Sequence, residues 1–136
     1  MAHDHEVYMT LVEAAVELRD AAALTQYTPL LEELARRDGH KLYLGIAQRA
    51  WGVAQGLAGA YPEAEARLKE ALVLFRELGT GWQIGRTLFE MGKIAQNRLD
   101  HAAACDYFEA ALAEFEALGA MPDVQRTHLE LETINA

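Results

Sequence analysis

Apolar residues recur along this chain at helical spacing, and the pattern breaks and restarts at regular intervals. Ile84, Leu88, Met91 and Ala95 follow one another at i, i+4, i+7 and i+11, which places them on one face of a helix over about Trp82–Arg98. Leu99-Asp100 interrupts that stripe, and the Asp100 carboxylate is suited to cap the helix that follows. From about His101 to Leu118 a second stripe runs through Ala104, Phe108, Ala111, Leu112, Phe115 and Leu118, and Gly119 supplies a left-handed stop. Ala64, Leu68, Ala71, Leu72, Phe75 and Leu78 repeat it after the Gly59-Ala60-Tyr61-Pro62 turn, with Pro62 placed for a first helical turn.

The restart has a fixed length. Gly39, Gly79 and Gly119 stand forty residues apart. The same offset lays Ala71-Leu72, Phe75 and Leu78-Gly79 over Ala111-Leu112, Phe115 and Leu118-Gly119 without a gap. It also carries Gly45 onto Gly85, Gly52 onto Gly92, Ala64 onto Ala104 and Leu68 onto Phe108. An internal repeat of this kind signals stacked helical units. The small residues let paired helices approach so that Leu and Phe interlock.

The first unit is less regular. Val7, Leu11, Ala14 or Ala15 and Leu18 form a helical stripe, Asp20 is placed to cap the next helix, and Leu24, Leu31, Leu34 and Ala35 continue toward Gly39. Pro29 falls inside that second helix and removes a backbone donor, so a kink, or a restart capped by Thr28, is expected. Pro122-Asp123 opens a closing helix with Val124, Thr127, Leu131 and Ile134 turned inward. The expected architecture is all-α: one domain over 1–136, with units at about 5–39, 42–79 and 82–119 and a cap helix at about 122–135.

Composition narrows the function. Half the residues are hydrophobic (51%) and prolines number three, which argues for a packed helical domain and against disorder. The net charge of -9 repels phosphate backbones and anionic membrane surfaces, so neither nucleic acid nor membrane is an expected partner. No apolar run reaches the roughly 20 residues that span a bilayer, and the first residues lack the pattern of a signal peptide. With a lone cysteine, Cys105, no internal disulfide can form, and the expected location is cytoplasmic.

Chemistry-bearing clusters are sparse. His3 and His5 beside a free amine form a copper- or nickel-type ligand set, weighed against an ordinary polar terminus. Cys105 has His101 one helical turn before it, weighed against a structural thiol. Glu32-Glu33 and Glu130/Glu132 read as solvated faces, and Trp51 and Trp82 as packing residues at unit junctions. No catalytic set, metal site or cofactor is expected, and the chain is not read as an enzyme.

With Gly52 and Gly92 late in a first helix, Gly59 and Tyr61 at a turn, and Ala64-Leu68-Ala71 and Ala104-Phe108-Ala111 in a second, the chain resembles tetratricopeptide-repeat (TPR) proteins. The likeness covers about 42–119. It departs at Gln48, in place of the usual early tryptophan, at Leu99 and His101, in place of the turn glycine and aromatic, and in a forty-residue period against about 34. The longer period resembles the subclass found in polarity adaptors and in sensor arms of bacterial regulators.

The resemblance implies a right-handed α-solenoid of three helix pairs plus a C-terminal capping helix. It also implies a peptide-binding groove lined by first helices: Met9, Glu13, Glu17, Ile46, Arg49, Val53, Leu57, Arg86, Phe89, Lys93 and Asn97, extended by Leu129. Phe89 and Leu57 lie off the pairing stripe. Arg49, Arg86 and Lys93 would hold an acidic group of a protein or peptide partner; the competing reading pairs Arg49 with Glu13 or Glu17. Arg86→Glu is expected to weaken such a ligand without unfolding the domain. The Lys-Asn pattern of chaperone-tail clamps is absent. A protein-binding scaffold is therefore the leading function, with a ligand-sensing arm of a regulator or signalling ATPase and a self-associating module, a homodimer, as alternatives.

Overall fold

The computed structural model describes residues 2–136, with side chains from His5 onward. Among these residues all regular structure is helical: α1 (Ala2–Glu17), α2 (Ala21–Asp38), α3 (Lys41–Leu57), α4 (Tyr61–Leu78), α5 (Gly81–Asn97), α6 (His101–Leu118) and α7 (Met121–Asn135). The chain divides into two compact units, the first ending at Leu78 and the second running Gly79–Ala136. In the first, α1 packs on α2 and α3, and α3 packs on α2 and α4. In the second, α6 packs on both α5 and α7.

Helix ends follow local chemistry. Asp20 and Asp100 accept hydrogen bonds from the Ala23 and Ala103 amides, each 3.1 Å away, which satisfies donors that a helix start leaves open. His40 caps α3, accepting from the Tyr43 amide through Nδ1 at 3.3 Å. Gly39, Gly79 and Gly119 all sit in the left-handed region. At the turns inside each unit the same conformation recurs, at Arg19 (φ 52°), Gly59 (φ 79°) and Leu99 (φ 62°), again forty residues apart. The Asp20, Ala60 and Asp100 amides then reach back to Ala15, Gln55 and Ala95 carbonyls at 2.9 Å, closing each helix. The forty-residue frame therefore includes α1 and α2, which the apolar pattern matched least well.

A leucine in this conformation is strained by about 1–2 kcal/mol because its Cβ crowds the following carbonyl. Leu99 is exposed and contributes little packing. Leu99→Gly is expected to stabilise the fold by about 1 kcal/mol, after allowing for the freer unfolded chain. Leu99→Ala should leave it nearly unchanged. Thermal melts followed by circular dichroism compare the two; an equal rise for both would assign the gain to loss of the side chain rather than to relief of the backbone.

The close helix pairs rest on glycine seats. A Cβ on Gly45 would lie 2.6 Å from Phe75 Cε1, and one on Gly52 would lie 2.7 Å from Leu68 Cγ. Gly85 meets Phe115 and Gly92 meets Phe108 in the same way, at 2.6 and 2.7 Å. Glycine in a helix interior costs about 1 kcal/mol relative to alanine. Full burial of Phe75, Phe108 and Phe115, worth about 1.5–3 kcal/mol each, offsets that cost.

In α1 and α2 the frame is kept but the sizes are exchanged. Val12 and Thr28 occupy the register of Gly52 and Leu68; His5 and Ala35 occupy that of Gly45 and Phe75. Val12 and Thr28 are fully buried, and His5 Nε2 reaches the Leu34 carbonyl at 3.4 Å. The larger side chain now comes from the first helix and the smaller from the second.

Two expectations for this segment need correction. α2 runs unbroken through Pro29 and does not restart at Thr28, whose hydroxyl is buried with no hydrogen-bond partner. The buried face of α1 is Val12, Ala15 and Val16, whereas Val7, Leu11, Ala14 and Leu18 are exposed. In α7, Val124 and Thr127 are buried, with Leu131 and Ile134 half-buried.

Candidate functional site

Within each unit an ion pair links a residue of the expected groove set to another helix. In the first unit Arg49 of α3 is fully buried, and its Nη2 donates to Glu13 Oε1 and Oε2 of α1 at 3.0 and 3.1 Å. The guanidinium also lies 5.1 Å from the centre of the Phe75 ring, a cation–π distance. One carboxylate thus ties two successive first helices together. Ile46 and Val53 are buried on the same helix, Met9 is half-buried, and Glu17 and Leu57 are exposed.

In the second unit the link is Lys93 of α5 to Glu130 of α7, at 2.9 Å. Phe89 is buried, with the Arg126 guanidinium 4.6 Å from its ring centre and its edge turned to Phe108 at 5.4 Å. Arg86 is buried beside Trp82, 5.0 Å from ring centre, and Trp82 donates to Asp123 Oδ2 at 3.0 Å. Asn97 and Leu129 are exposed. A small, partly open cavity of about 10 Å³, room for about one water molecule, lies among Arg86, Phe89, Glu90, Phe115, Asp123, Arg126 and Thr127.

The expectation that Arg49, Arg86 and Lys93 offer their charges to an acidic ligand meets a different arrangement. Arg49 and Lys93 instead hold Glu13 and Glu130, so the competing Arg49–Glu13 pairing is the one found. Arg86→Glu would place a carboxylate in a buried position, and so it reports on folding before it reports on binding. Ile46, Val53 and Phe89 belong to the packed interior rather than to an open groove floor. The solvent-facing members of the set are Glu17, Leu57, Asn97 and Leu129.

Arg126 and Glu130, which partner Phe89 and Lys93 in the second unit, stand outside the residues that the sequence pattern marks for the groove. The offset offered one signal, since Arg126 and Thr127 follow Arg86 and Thr87 by forty residues.

Trp51 packs where a junction is expected, whereas Trp82 is 39% exposed. Trp51 Nε1 donates to Glu32 Oε1 at 3.0 Å, beneath the Arg67 guanidinium at 5.7 Å from the ring centre. Arg67 in turn reaches Gln48 at 2.7 Å, so the glutamine that departs from the TPR pattern is engaged inside the first unit.

His3 lies outside the residues whose side chains are described. His5 is buried, stacked on Tyr43 at 5.3 Å and 3.0 Å from Asp38 Oδ2. The Arg37 guanidinium, hydrogen-bonded to Asp38, holds that carboxyl below its usual range, and the nearby His5 acts in the same direction. Among the described residues no group of three histidine, cysteine or acidic side chains is placed to hold a metal ion, and no helix is long and apolar enough to cross a membrane. Cys105 is a half-buried free thiol.

No protein-family model matches the chain, and no curated protein matches it either.

Proposed function

We propose that this chain is a TPR-like interaction module that binds a protein or peptide partner through first-helix residues, and that it is not an enzyme. The observation that carries this reading is Leu57 and Leu129, which are 47% and 63% exposed at first-helix positions beside the anchored Arg49–Glu13 and Lys93–Glu130 pairs. Ion pairs joining α1 to α3 and α5 to α7 hold the backbone in place, and a leucine that needs no partner inside its unit is then available to one outside. A rigid, preorganised face loses less freedom on binding than a mobile one. The reading differs from the sequence expectation in its chemistry: apolar contacts supply the attraction, because the cations are engaged within the protein. The cavity beside Phe89 has room for about one water and is too small to seat a metabolite, which weighs against the sensing-arm alternative at that place.

Peptides selected from a random display library against the full chain test this reading. Leu57→Asp is expected to weaken peptides that bind the first unit, and Leu129→Asp those that bind the second, each at least about tenfold while leaving the melting curve unchanged, since both residues face solvent. Peptides that bind both variants as tightly as the parent would overturn the assignment.

A further inference from the structure

The corrected face of α1 has a use of its own. Val7, Leu11, Ala14 and Leu18 form one exposed apolar stripe, with Val7 55% and Leu18 76% exposed. An open depression in it is lined by Glu6, Val7, Thr10 and Leu11. On a helical wheel this stripe lies across α1 from Met9 and Glu13, so it is a different surface from the first-helix positions proposed above.

The chain contains a covered version of the same face. Forty residues on, Val7, Leu11 and Ala14 become Ala47, Trp51 and Ala54 of α3. There α2 packs against the helix, Ala47 is fully buried, and Trp51 donates to Glu32 of α2. In this fold, the face is a seat for another helix. Ala14 and Thr10 give the stripe small members that permit close approach.

Charge selects the occupant. α1 carries no lysine or arginine, and its Glu13 is already answered by Arg49 on the far side, which leaves Glu6 and Glu17 as the acidic residues nearest the stripe in sequence register. Both border one side of it and are exposed. A second copy of this chain would oppose the same acidic margin to itself and add a second net charge of -9. A helix with an apolar face and flanking lysines or arginines meets both features at once. We infer that the outer face of α1 seats a cationic amphipathic helix of a partner protein, in the manner that α2 sits on α3.

Fluorescence anisotropy with the full chain tests this using three synthetic labelled peptides. One has a leucine–alanine face flanked by lysine, a second replaces those lysines with glutamate, and a third scrambles the lysine peptide to remove its apolar face. The first is expected to bind, more weakly as salt is raised, and the other two at least about tenfold less tightly. Leu18→Asp, and Val7→Asp with Leu18→Asp, should weaken the first peptide to the same degree, with circular dichroism melts confirming that both variants fold. Leu57→Asp should leave this binding intact, which separates failure here from failure of the proposed first-helix face. Equal binding of the lysine and scrambled peptides, retained binding by the folded Val7 and Leu18 variants, or no binding of the first peptide would overturn the inference. So would a dimer in light scattering that these variants dissociate, because a second copy would then be the occupant.

Discussion

Replacing Glu13 by alanine is expected to lower the unfolding free energy by about 3 kcal/mol, among the largest effects of any single change outside the apolar core. The reason is the residue left behind. Arg49 is fully buried, and Glu13 answers its guanidinium with two contacts near 3 Å. Removing one partner of a buried pair costs about 3–5 kcal/mol, and the Phe75 ring 5.1 Å from the guanidinium offsets part of that loss. The lower figure applies because the Glu13 side chain keeps 17% exposure, so water can reach part of the site. Removing both charges has a different outcome: Glu13→Leu with Arg49→Met should fall within about 1 kcal/mol of the parent, since well-packed apolar replacements are commonly tolerated. Urea denaturation of the single and double variants measures both. A cost below about 1 kcal/mol for Glu13→Ala would mean that Arg49 is satisfied without this pair, and that the link between α1 and α3 lies elsewhere.

The second large effect concerns the helix pair α5–α6. Gly92→Val drives a branched side chain into Phe108, where even a Cβ would meet Cε1 at 2.7 Å, and overpacking of this kind costs about 1–3 kcal/mol. Phe108→Val empties much of a fully buried ring site, by analogy with large-to-small changes of about 3–5 kcal/mol. The exchanged sizes at Val12 and Thr28 indicate that the frame also accepts the bulk from the first helix. The double variant is therefore expected to be more stable than the sum of the two single costs predicts, by about 1–3 kcal/mol. Valine rather than threonine is used at position 108 to avoid a second buried hydroxyl like that of Thr28, which has no partner. Strict additivity in chemical denaturation would show that the exchange in α1 and α2 relies on its own surroundings and is not a property of the frame.

Much of the local structure was legible in the residues. Glycines at fixed intervals, aspartates just before apolar runs and alanine–phenylalanine stripes mark helix ends and buried faces through interactions that span one or two turns. That is why α6 begins at His101 and ends at Leu118 as expected, with Asp100 and Gly119 as its caps. The restart weighed at Thr28 does not occur, because Leu24, Thr28, Leu31 and Ala35 keep one face of α2 buried and that packing outweighs the loss of one hydrogen bond at Pro29.

The candidate site was legible in position but not in state. Periodicity placed Arg49, Phe89 and Lys93 on first helices, yet the partners that change their meaning lie far along the chain. Glu13 is 36 residues before Arg49, and Glu130 is 37 after Lys93. A cation read one helix at a time looks available; its pairing exists only when a second helix is laid beside it.

The sequence by itself determined where most helices end and how they are spaced, because caps, turns and 3.6-residue periodicity act over a few residues, whereas the continuity of α2 through Pro29 was left to packing. The tertiary structure alone decided which of two apolar stripes on α1 is buried, since Val7–Leu18 and Val12–Val16 satisfy the helical period equally well. It also decided which charges are answered inside the fold and which leucines remain exposed. Those outcomes depend on neighbouring surfaces meeting in three dimensions, and no short-range rule along the chain carries that information.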